Sequence, residues 1–362
     1  MSEAIRILHV IGRMDRGGAE TMLMNLYRNI DREKVQFDFV VHTKNKCSYD
    51  DEIKQMGGKI FNFPRFNGIN ILYYLYCWIR LLKNHKEYKV IHGHNYNVAA
   101  IYLMIAKIFK RYTIAHSHST SNGKNTKAKI KNFFCYFVRY FADYKMACSI
   151  EAGKWLFGED ILKSSNFHVL YNAIDLKKYS LEYAPKVNNE VIFGHIGRFV
   201  EEKNHKFLIQ VFKEYIKLNG NAKLLLIGKG VLESEIKQLV KNLNLNNKVL
   251  FLGLRSDIDI LLKNIDVFVF PSIYEGLPVA LIEAQAAGVQ CFISDKISSE
   301  VCVTDCIHQL SLNLGPKKWA EKILDTKLKK INTFFNLKEA GYDITDTAKW
   351  LENFYRKKYL EK

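Results

Sequence analysis

A Gly-Leu-Pro motif in the second half of the chain combines a flexible loop with a helix start. Residues 268–288 begin with an apolar run that predicts a buried strand, followed by a loop and a helix. Pro278 is predicted at the first helical position, where its missing N–H costs nothing. The backbone N–H groups of Gly276, Leu277 and Val279 would then point at a ligand. A helix N-terminus of this kind binds anions, and a diphosphate suits it.

Two glutamates eight residues apart place carboxylates on either side of this motif. Glu283 follows Pro278 by about one and a half helical turns, and its carboxylate can accept two hydrogen bonds from a vicinal diol such as a ribose. Glu275 stands in the loop directly before Gly276. The alternative interpretation makes Glu275 a helix-start acid and Glu283 a solvated surface residue. The strand–Gly-Leu-Pro–helix context favours the ligand-binding interpretation.

A second candidate anion site lies earlier in the chain. Arg198 and Lys203 are five residues apart, where one predicted strand ends and a helix begins. A fork-shaped guanidinium and an ammonium at this spacing would neutralise a diphosphate leaving group without a metal, although a solvated pair is the alternative.

Asp257 and Asp259 form the chain's only Asp-x-Asp, which some transferases use to hold a divalent cation. Because acids suit the first turn of a helix, we predict no metal site and no cofactor here.

These motifs resemble the signature of retaining glycosyltransferase family 4, whose members have the GT-B fold and synthesise capsular, exopolysaccharide and related glycans. The phrase Pro-Ser-x-x-Glu-Gly-Leu-Pro at 271–278 carries most of the resemblance. The segment 194–205, with Gly-Arg-x4-Lys, resembles the family's phosphate site, and 171–175 resembles the turn before its second domain. The resemblance extends over essentially the whole chain and includes Gly-Gly-Ala-Glu at 17–20.

The resemblance implies a role for each of these residues. Glu275 would be catalytic and would bind the donor sugar together with Gly276, and Glu283 would bind the ribose. The donor diphosphate would contact two basic side chains and several backbone groups: Arg198, Lys203, Gly17, Gly18, Leu277, Pro278 and Val279. Gly17 and Gly18 would let the backbone approach either this phosphate or the acceptor closely. The nucleobase would lie against the loops after two further strands, at Gly228, Leu254 and Arg255.

Four histidines stand at two predicted strand ends in the first half of the chain. Family members carry a catalytic histidine at the position of Ala-His-Ser-His-Ser, where this chain has His116 and His118. Because side chains alternate along a strand, both point to the same side, and either could approach the transferred sugar. The alternative is a packed, hydrogen-bonded core histidine. His92 and His94 are predicted to support the site or the structure.

The alternation of strands and helices predicts two parallel sheets, each with its own crossovers. Strands are predicted at 5–11, 37–42, 59–63, 90–93, 113–116 and 168–171, then at 191–196, 223–228, 249–252, 267–270 and 290–294. We therefore predict an α/β protein with two doubly wound, Rossmann-like domains, 1–185 and 186–342, facing one another across a cleft. An amphipathic helix within 343–362 is expected to return to the first domain. Ligands bind beyond the carboxyl ends of such strands.

Composition narrows the class of protein. The 362 residues are 48% hydrophobic and 25% charged, which excludes a disordered or low-complexity chain. The seven cysteines contain no Cys-x-x-Cys and are expected to be reduced. We see no secretory signal and no uncharged apolar run of about 18 residues, so the expected location is the cytoplasm, with peripheral association at the cytoplasmic face of the membrane.

The net charge of +17 is concentrated in one part of the chain. Residues 71–145 contain thirteen Lys or Arg and only two acidic residues. Such a field attracts nucleic acid, anionic lipid or phosphorylated substrates. Aromatic residues interleaved with these cations favour an interfacial surface on anionic lipid, although a core face with a solvated basic face is the alternative. No nucleic-acid-binding motif is present, so we predict no nucleic-acid partner.

The leading hypothesis is a retaining, metal-independent hexosyltransferase in polysaccharide synthesis. It would transfer a sugar from a nucleotide-sugar donor to an oligosaccharide or lipid-linked glycan acceptor held by the first domain. Among nucleotide sugars, we favour a UDP-sugar as the donor. One alternative keeps the fold but makes the protein a nucleotide-sugar epimerase of GT-B type. The other alternative is a basic nucleic-acid-binding protein.

Overall fold

The computed structural model describes residues 3–95, 98–119, 135–179 and 190–362. The chain divides into two compact units, the first comprising 1–173 with 344–362 and the second comprising 174–343. The predicted domain boundary at residue 186 lies outside the described residues.

The first unit is built on a seven-stranded parallel sheet with the order β3-β2-β1-β4-β5-β6-β7. Its strands are β1 Ile5–Ile11, β2 Val35–Val41, β3 Ile60–Asn62, β4 Val90–Gly93, β5 Tyr112–Ser117, β6 Tyr144–Ala147 and β7 Phe167–Val169. Its helices are α1 Gly18–Asn29, α2 Asp50–Gln55, α3 Ile71–Asn84, α4 Ala99–Ile108, α5 Val138–Phe141 and α6 Ile150–Phe157. The strand order reverses between β1 and β4, which makes their carboxyl ends the place where such a sheet binds ligands.

Both faces of this sheet are covered, so its strands are apolar on both sides. On β1, Ile7 and Ile11 pack into one buried cluster, and Leu8 and Val10 pack into another with α3 and α4. Trp78 of α3 is fully buried in the second cluster. This burial on two faces holds the strand ends rigidly in position.

The second unit repeats the arrangement with six parallel strands in the order β10-β9-β8-β11-β12-β13. The strands are β8 Val191–Ile196, β9 Ala222–Ile227, β10 Val249–Gly253, β11 Val267–Phe270, β12 Gln290–Ser294 and β13 Ile307–Leu310. The helices are α7 His205–Asn219, α8 Glu233–Asn242, α9 Ile258–Asn264, α10 Val279–Ala286, α11 Gly315–Asp325 and α12 Phe334–Glu339. The order reverses between β8 and β11. Two doubly wound α/β units confirm the predicted fold class.

Two strands, β6 and β13, were absent from the sequence prediction. Both are four residues long; two residues of β6 are only partly buried, and no residue of β13 is fully buried. A short strand with this mixed exposure has neither a continuous apolar run nor a clean alternation, so periodicity does not reveal it.

The last helix, α13 Ile344–Leu360, belongs to the first unit, as predicted. Its Leu351 and Tyr355 are fully buried in the same cluster as Ile7 and Phe37. The Tyr355 hydroxyl also lies 2.6 Å from Nδ1 of His92 in β4. The helix therefore completes the core on one face of the first sheet.

The contribution of α13 can be measured with a single truncation. Leu351→Ala removes a fully buried side chain and should lower the free energy of unfolding by about 2–5 kcal/mol, measured by urea denaturation. Leu360→Ala, at an 81% exposed position of the same helix, is the matched control and should change it by less than about 0.5 kcal/mol. Equal stabilities of the two variants would contradict the packing of α13.

Candidate functional site

The loops that follow β8 and β11 are tied together at the carboxyl edge of the second sheet. The Asn204 side-chain amide donates to the carbonyl of Pro271 at 3.2 Å, and the Ile273 N–H donates to the carbonyl of Glu202 at 2.8 Å. The two motifs predicted separately from the sequence therefore meet at the point where the strand order reverses.

An ion pair between Lys203 and Glu275 lies where these loops meet. Lys203 Nζ is 2.5 Å from Glu275 Oε1, and the two side chains are only 16% and 17% exposed. The ammonium also lies 4.6 Å from the centroid of the Phe270 ring, a favourable cation–π position. Gly197 makes room for the lysine stem, because a Cβ there would be 3.2 Å from Lys203 Cδ. The residue predicted to bind the phosphate, Lys203, is thus adjacent to the residue predicted to bind the sugar, Glu275.

The backbone turns sharply directly after Lys203. Asn204 has φ +53° and ψ +46°, a left-handed conformation that asparagine tolerates better than most residues other than glycine. This turn ends the 3₁₀ segment Glu201–Lys203 and starts α7. Arg198, on the same loop, is exposed, and no described ion pair includes it. Its side chain is therefore exposed to solvent, whereas Lys203, five residues later, is largely buried.

Helix α10 begins one residue later than predicted. Pro278 has φ −74° and ψ 117°, so it is the residue before the helix, and Val279 is the first helical residue. The reason is that the extended ψ lets the Pro278 carbonyl accept the N–H of Leu281 at 3.0 Å. The N–H groups of the first helical turn have no partner within a helix. Above Gly276 the space is open, since a Cβ there would meet no atom within 4 Å. The anion-binding roles of Gly276, Leu277 and Val279 stay predictions.

Glu283 already has a partner within the second unit. The Tyr179 hydroxyl donates to Glu283 Oε1 at 3.1 Å. Burial raises the pKa of Glu283 to about 7, the hydrogen bond from Tyr179 opposes this, and the nearby Asp259 adds to it. Burial and the Glu283 carboxylate also raise the pKa of Tyr179. Sequence analysis missed Tyr179, because no spacing relates it to a helix about a hundred residues away.

The predicted nucleobase residues have distinct surroundings. Gly228 has φ +141°, and a Cβ there would collide with the carbonyl oxygen of Gly197, so close packing of the two loops explains this glycine. Leu254 is 67% exposed. Arg255 pairs with Asp257 through two contacts of 2.8 and 2.5 Å, and this holds the pKa of Asp257 below its usual range. Their contact with a base stays a prediction.

In the first unit, Gly17 and Gly18 stand at the N-terminus of α1. The helix begins at Gly18, and the Gly17 carbonyl accepts the N–H of Thr21. A cavity of about 580 Å³ lies at this end of the unit, with Arg13 and Arg65 among its lining residues. A Cβ on Gly18 would meet no atom within 4 Å, so this approach is sterically open.

Five histidines form one cluster at the carboxyl ends of β1, β4 and β5. Ring contacts connect His92, His94, His116 and His118, with neighbouring centroids 4.1–5.3 Å apart. His9, which sequence analysis missed, is hydrogen-bonded through Nδ1 to Nε2 of His94 at 3.0 Å. The signal was present, since His9 lies in a strand that alternation would place beside His92, its partner in the sheet.

Burial lowers the pKa of each of these imidazoles. The pKa of His9 and of His118 falls to about 3, and neighbouring histidines lower those of His92, His94 and His116 further. The two candidates for the catalytic histidine differ in solvent exposure. His116 is almost completely buried, whereas His118 is only partly buried. Among the described residues, two sets of three can bring their ring nitrogens within 4.8 Å of one another: His9, His92 and His94, and His94, His116 and His118.

Two family models match this chain in succession. The model described as "Glycosyltransferase Family 4" matches residues 16–178, and the one described as "Glycosyl transferases group 1" matches residues 182–331. The EpsF protein of Bacillus subtilis (strain 168) is 36% identical over 368 residues, which cover 97% of this chain and 96% of EpsF. The chain belongs to glycosyltransferase family 4. The predicted resemblance is confirmed.

Two further proteins resemble this family 4 glycosyltransferase. An Escherichia coli enzyme named UDP-Gal:alpha-D-GlcNAc-diphosphoundecaprenol alpha-1,3-galactosyltransferase is 27% identical over 236 residues, 60% of each chain. The crystal structure of Anabaena Alr3699/HepE in complex with UDP superposes with a TM-score of 0.72 at 18% identity, covering 96% of this chain and 94% of that one. The structural similarity to HepE supports the GT-B fold.

The buried carboxyl of Glu283 should make stability depend on pH. Its pKa rises from 4.5 to about 7 on folding, so the folded state holds this proton more tightly than the unfolded state does. Its contribution to stability is therefore complete below about pH 4.5 and is lost as the pH rises through about 7. Glu283→Gln should be more stable than the wild type at pH 8 and about equal at pH 4.5, by urea denaturation.

Glu321→Gln is the control, since that glutamate is on the surface of α11 and pairs with Lys318. A stability difference between wild type and Glu283→Gln that is the same at both pH values would contradict the raised pKa.

Proposed function

We propose that this glycosyltransferase moves a hexose, with retention of anomeric configuration, from a UDP-sugar to a lipid-linked glycan acceptor in polysaccharide synthesis. The observation that carries the proposal is the Lys203–Glu275 pair at the point where the strand order reverses in the second unit. The pair supports the proposal because its cation would neutralise the leaving diphosphate and its carboxylate would accept the sugar hydroxyls.

Donor binding would exchange partners within this pair. The diphosphate of a nucleotide sugar draws the Lys203 ammonium, and Arg198 on the same loop adds a bidentate guanidinium. Glu275, released from Lys203, then accepts hydrogen bonds from the sugar hydroxyls. As the glycosidic bond breaks, negative charge grows on the leaving phosphate, and these prearranged cations stabilise it. The amides of the α10 start add to this field.

The ribose would bind at Glu283. A carboxylate there can accept both ribose hydroxyls, and its hydrogen bond from Tyr179 orients it. Uracil is the base of the UDP-Gal that the E. coli relative's name gives and of the UDP bound to HepE. Two cations on the diphosphate take over the charge neutralisation that other transferases assign to a divalent metal, so transfer is proposed to proceed without one. Retention rests on membership of family 4.

The acceptor would bind in the first unit. Its cavity of about 580 Å³ is lined by Arg13, Arg65 and one acid, Glu20, and the excess of positive charge suits the diphosphate of a lipid-linked acceptor of the kind the E. coli relative names. His116 and His118, the two candidates for the catalytic histidine that the family resemblance implies, lie at the carboxyl end of β5 in the same unit. The anionic, lipid-bound acceptor also gives a reason for the basic character of this half of the chain.

The donor site is tested by comparing two lysines three residues apart. UDP should raise the melting temperature of the wild type, and Lys203→Met should weaken UDP binding by about tenfold to a hundredfold, because a charge-assisted contact is lost. Lys206→Met is the matched control, since Lys206 is exposed and pairs with Glu235. Equal UDP affinities of both variants would rule out the donor site; GDP, ADP and CDP in parallel test the choice of base.

An assay of the reaction tests retention, metal independence and the epimerase alternative separately. With UDP-sugar and a polyprenyl-diphosphate glycan, NMR of the product should show the donor's anomeric configuration, and EDTA should leave the rate unchanged. An inverted product or loss of activity in EDTA would overturn retention or metal independence. Sugar isomerised or released from the donor without any acceptor would instead favour the epimerase.

The outer face of α3 supports a peripheral position at the cytoplasmic face of the membrane. Leu72, Tyr73 and Tyr76 are 79%, 59% and 53% exposed on one side of the helix, whose other side is buried in the core. Arg80 and Lys83 are exposed on the same helix. Aromatic residues flanked by cations are typical of helices that lie on anionic lipid. No helix in the described part of the chain has the length and apolarity needed to span a bilayer.

Vesicle sedimentation tests this surface. The double variant Tyr73→Ser, Tyr76→Ser should bind vesicles rich in phosphatidylglycerol at least about tenfold more weakly than the wild type, because buried aromatic area is lost. The control variant, Leu218→Ser with Ile260→Ser, removes exposed apolar residues from the second unit and should bind normally. Equal binding to phosphatidylcholine vesicles, or an equal loss in the control, would contradict the proposal.

A further inference from the structure

We propose that Tyr179 is a positioning residue for donor binding, whose hydroxyl holds the Glu283 carboxylate ready to accept the two ribose hydroxyls of the nucleotide. This role rests on the proposed function, in which Glu283 binds the ribose. Tyr179 acts on the donor only through Glu283, by the hydrogen bond of 3.1 Å that it donates to Oε1.

The fold of the second unit fixes Tyr179 in this position. The residue ends the 3₁₀ segment Leu176–Tyr179, which packs against both α9 and α10. Its side chain is only 6% exposed, so packing holds the ring and water has little access to the hydroxyl. A buried hydroxyl needs a hydrogen-bond partner, and Glu283 on α10 supplies one. The contact is therefore built into the folded unit.

The contact leaves Glu283 able to bind a diol. An ionised carboxylate offers about four lone-pair positions on its two oxygens. Tyr179 uses one of those on Oε1, so the 2′ and 3′ hydroxyls of a ribose can use the others. Without this hydrogen bond the carboxylate could rotate about its last side-chain bond, and ordering it would cost part of the binding free energy.

The same hydrogen bond favours the ionised form of Glu283, which is the form that accepts from both hydroxyls. Burial raises the pKa of Glu283 to about 7, while the hydrogen bond from Tyr179 opposes the rise and Asp259 of α9 adds to it. Among the described residues, β12 and α12 also pack against α10 but add no titratable group to these causes. Loss of the Tyr179 hydroxyl should therefore raise the pKa of Glu283 and leave less carboxylate at neutral pH.

The test compares two variants that each lose one buried tyrosine hydroxyl. Tyr179→Phe keeps the ring, and its affinity for UDP is measured by calorimetry between pH 6 and pH 9.5. It should bind UDP about fivefold to tenfold more weakly than the wild type at pH 6.5, because less Glu283 is ionised. At pH 9.5 the two should agree to within about threefold, since Glu283 is then ionised in both and only its ordering differs.

Tyr215→Phe is the matched control. Tyr215 is a buried tyrosine of the same unit, on α7, and its hydroxyl accepts a hydrogen bond from Asn219 at 3.0 Å instead of contacting Glu283. This variant should bind UDP like the wild type at every pH. The ratio of each variant to the wild type also removes the titration of the UDP phosphate, which is common to all of them.

A second measurement needs no nucleotide. In protein labelled with ¹³C-glutamate, the carboxyl resonance missing from Glu283→Gln belongs to Glu283, and it should titrate near pH 7 in the wild type. Tyr179→Phe should move this midpoint upward by about one pH unit or more. When Glu283 is already Gln, adding Tyr179→Phe should change UDP affinity by less than about twofold, because the carboxylate that Tyr179 positions is absent.

The outcomes separate the role of Tyr179 from that of Glu283. Tyr179 has no positioning role if Tyr179→Phe leaves the midpoint and the UDP affinity unchanged, or weakens binding equally at every pH; the donor site then stands. Tighter UDP binding by Tyr179→Phe would also overturn the role, because the hydroxyl would then compete with the ribose. A wild type that does not bind UDP, or a shifted midpoint that UDP affinity does not follow, would overturn both this role and the ribose-binding role of Glu283.

Discussion

The reversal of strand order in each parallel sheet is the constraint on which the rest of the structure depends. All strands of such a sheet end at one edge, and the crossovers on either side of the reversal leave in opposite directions, so a crevice opens between two strand ends. In the second unit these strands are β8 and β11, and the loops that follow them carry Lys203 and Glu275. In the first unit, β1 and β4 end beside the histidine cluster.

The crevices of the two units differ in their electrostatics. The second unit presents full charges that neutralise one another, since Lys203 and Glu275 are paired and mostly buried. Their attraction keeps both groups in place, and an incoming diphosphate competes with Glu275 for the same ammonium. The first unit presents neutral imidazoles, because burial without acidic partners disfavours their charged form. In the second unit, Lys203 can therefore exchange Glu275 for another anion. In the first unit, the imidazoles are held in their neutral form.

Part of the site was predictable because its signals are local. The Gly-Leu-Pro helix start, the position of Arg198 and Lys203 after a strand, and the amphipathic final helix all depend on short-range spacing. The start of α10 was misplaced by one residue, because the ψ of Pro278 depends on the hydrogen bond that its carbonyl accepts. Strands β6 and β13 were missed, because four-residue segments of mixed burial have no periodicity to detect.

The sequence by itself determined the fold class, the family and most of the residue types in the candidate site, because these follow from periodicity and from motifs within about ten residues. Only the tertiary structure decided which groups are partners. Tyr179 reaches Glu283, Tyr355 reaches His92, and His9 joins His94 across long stretches of chain. The physical reason is that burial and hydrogen bonding depend on which strand ends are neighbours, and parallel strands become neighbours only through long crossovers.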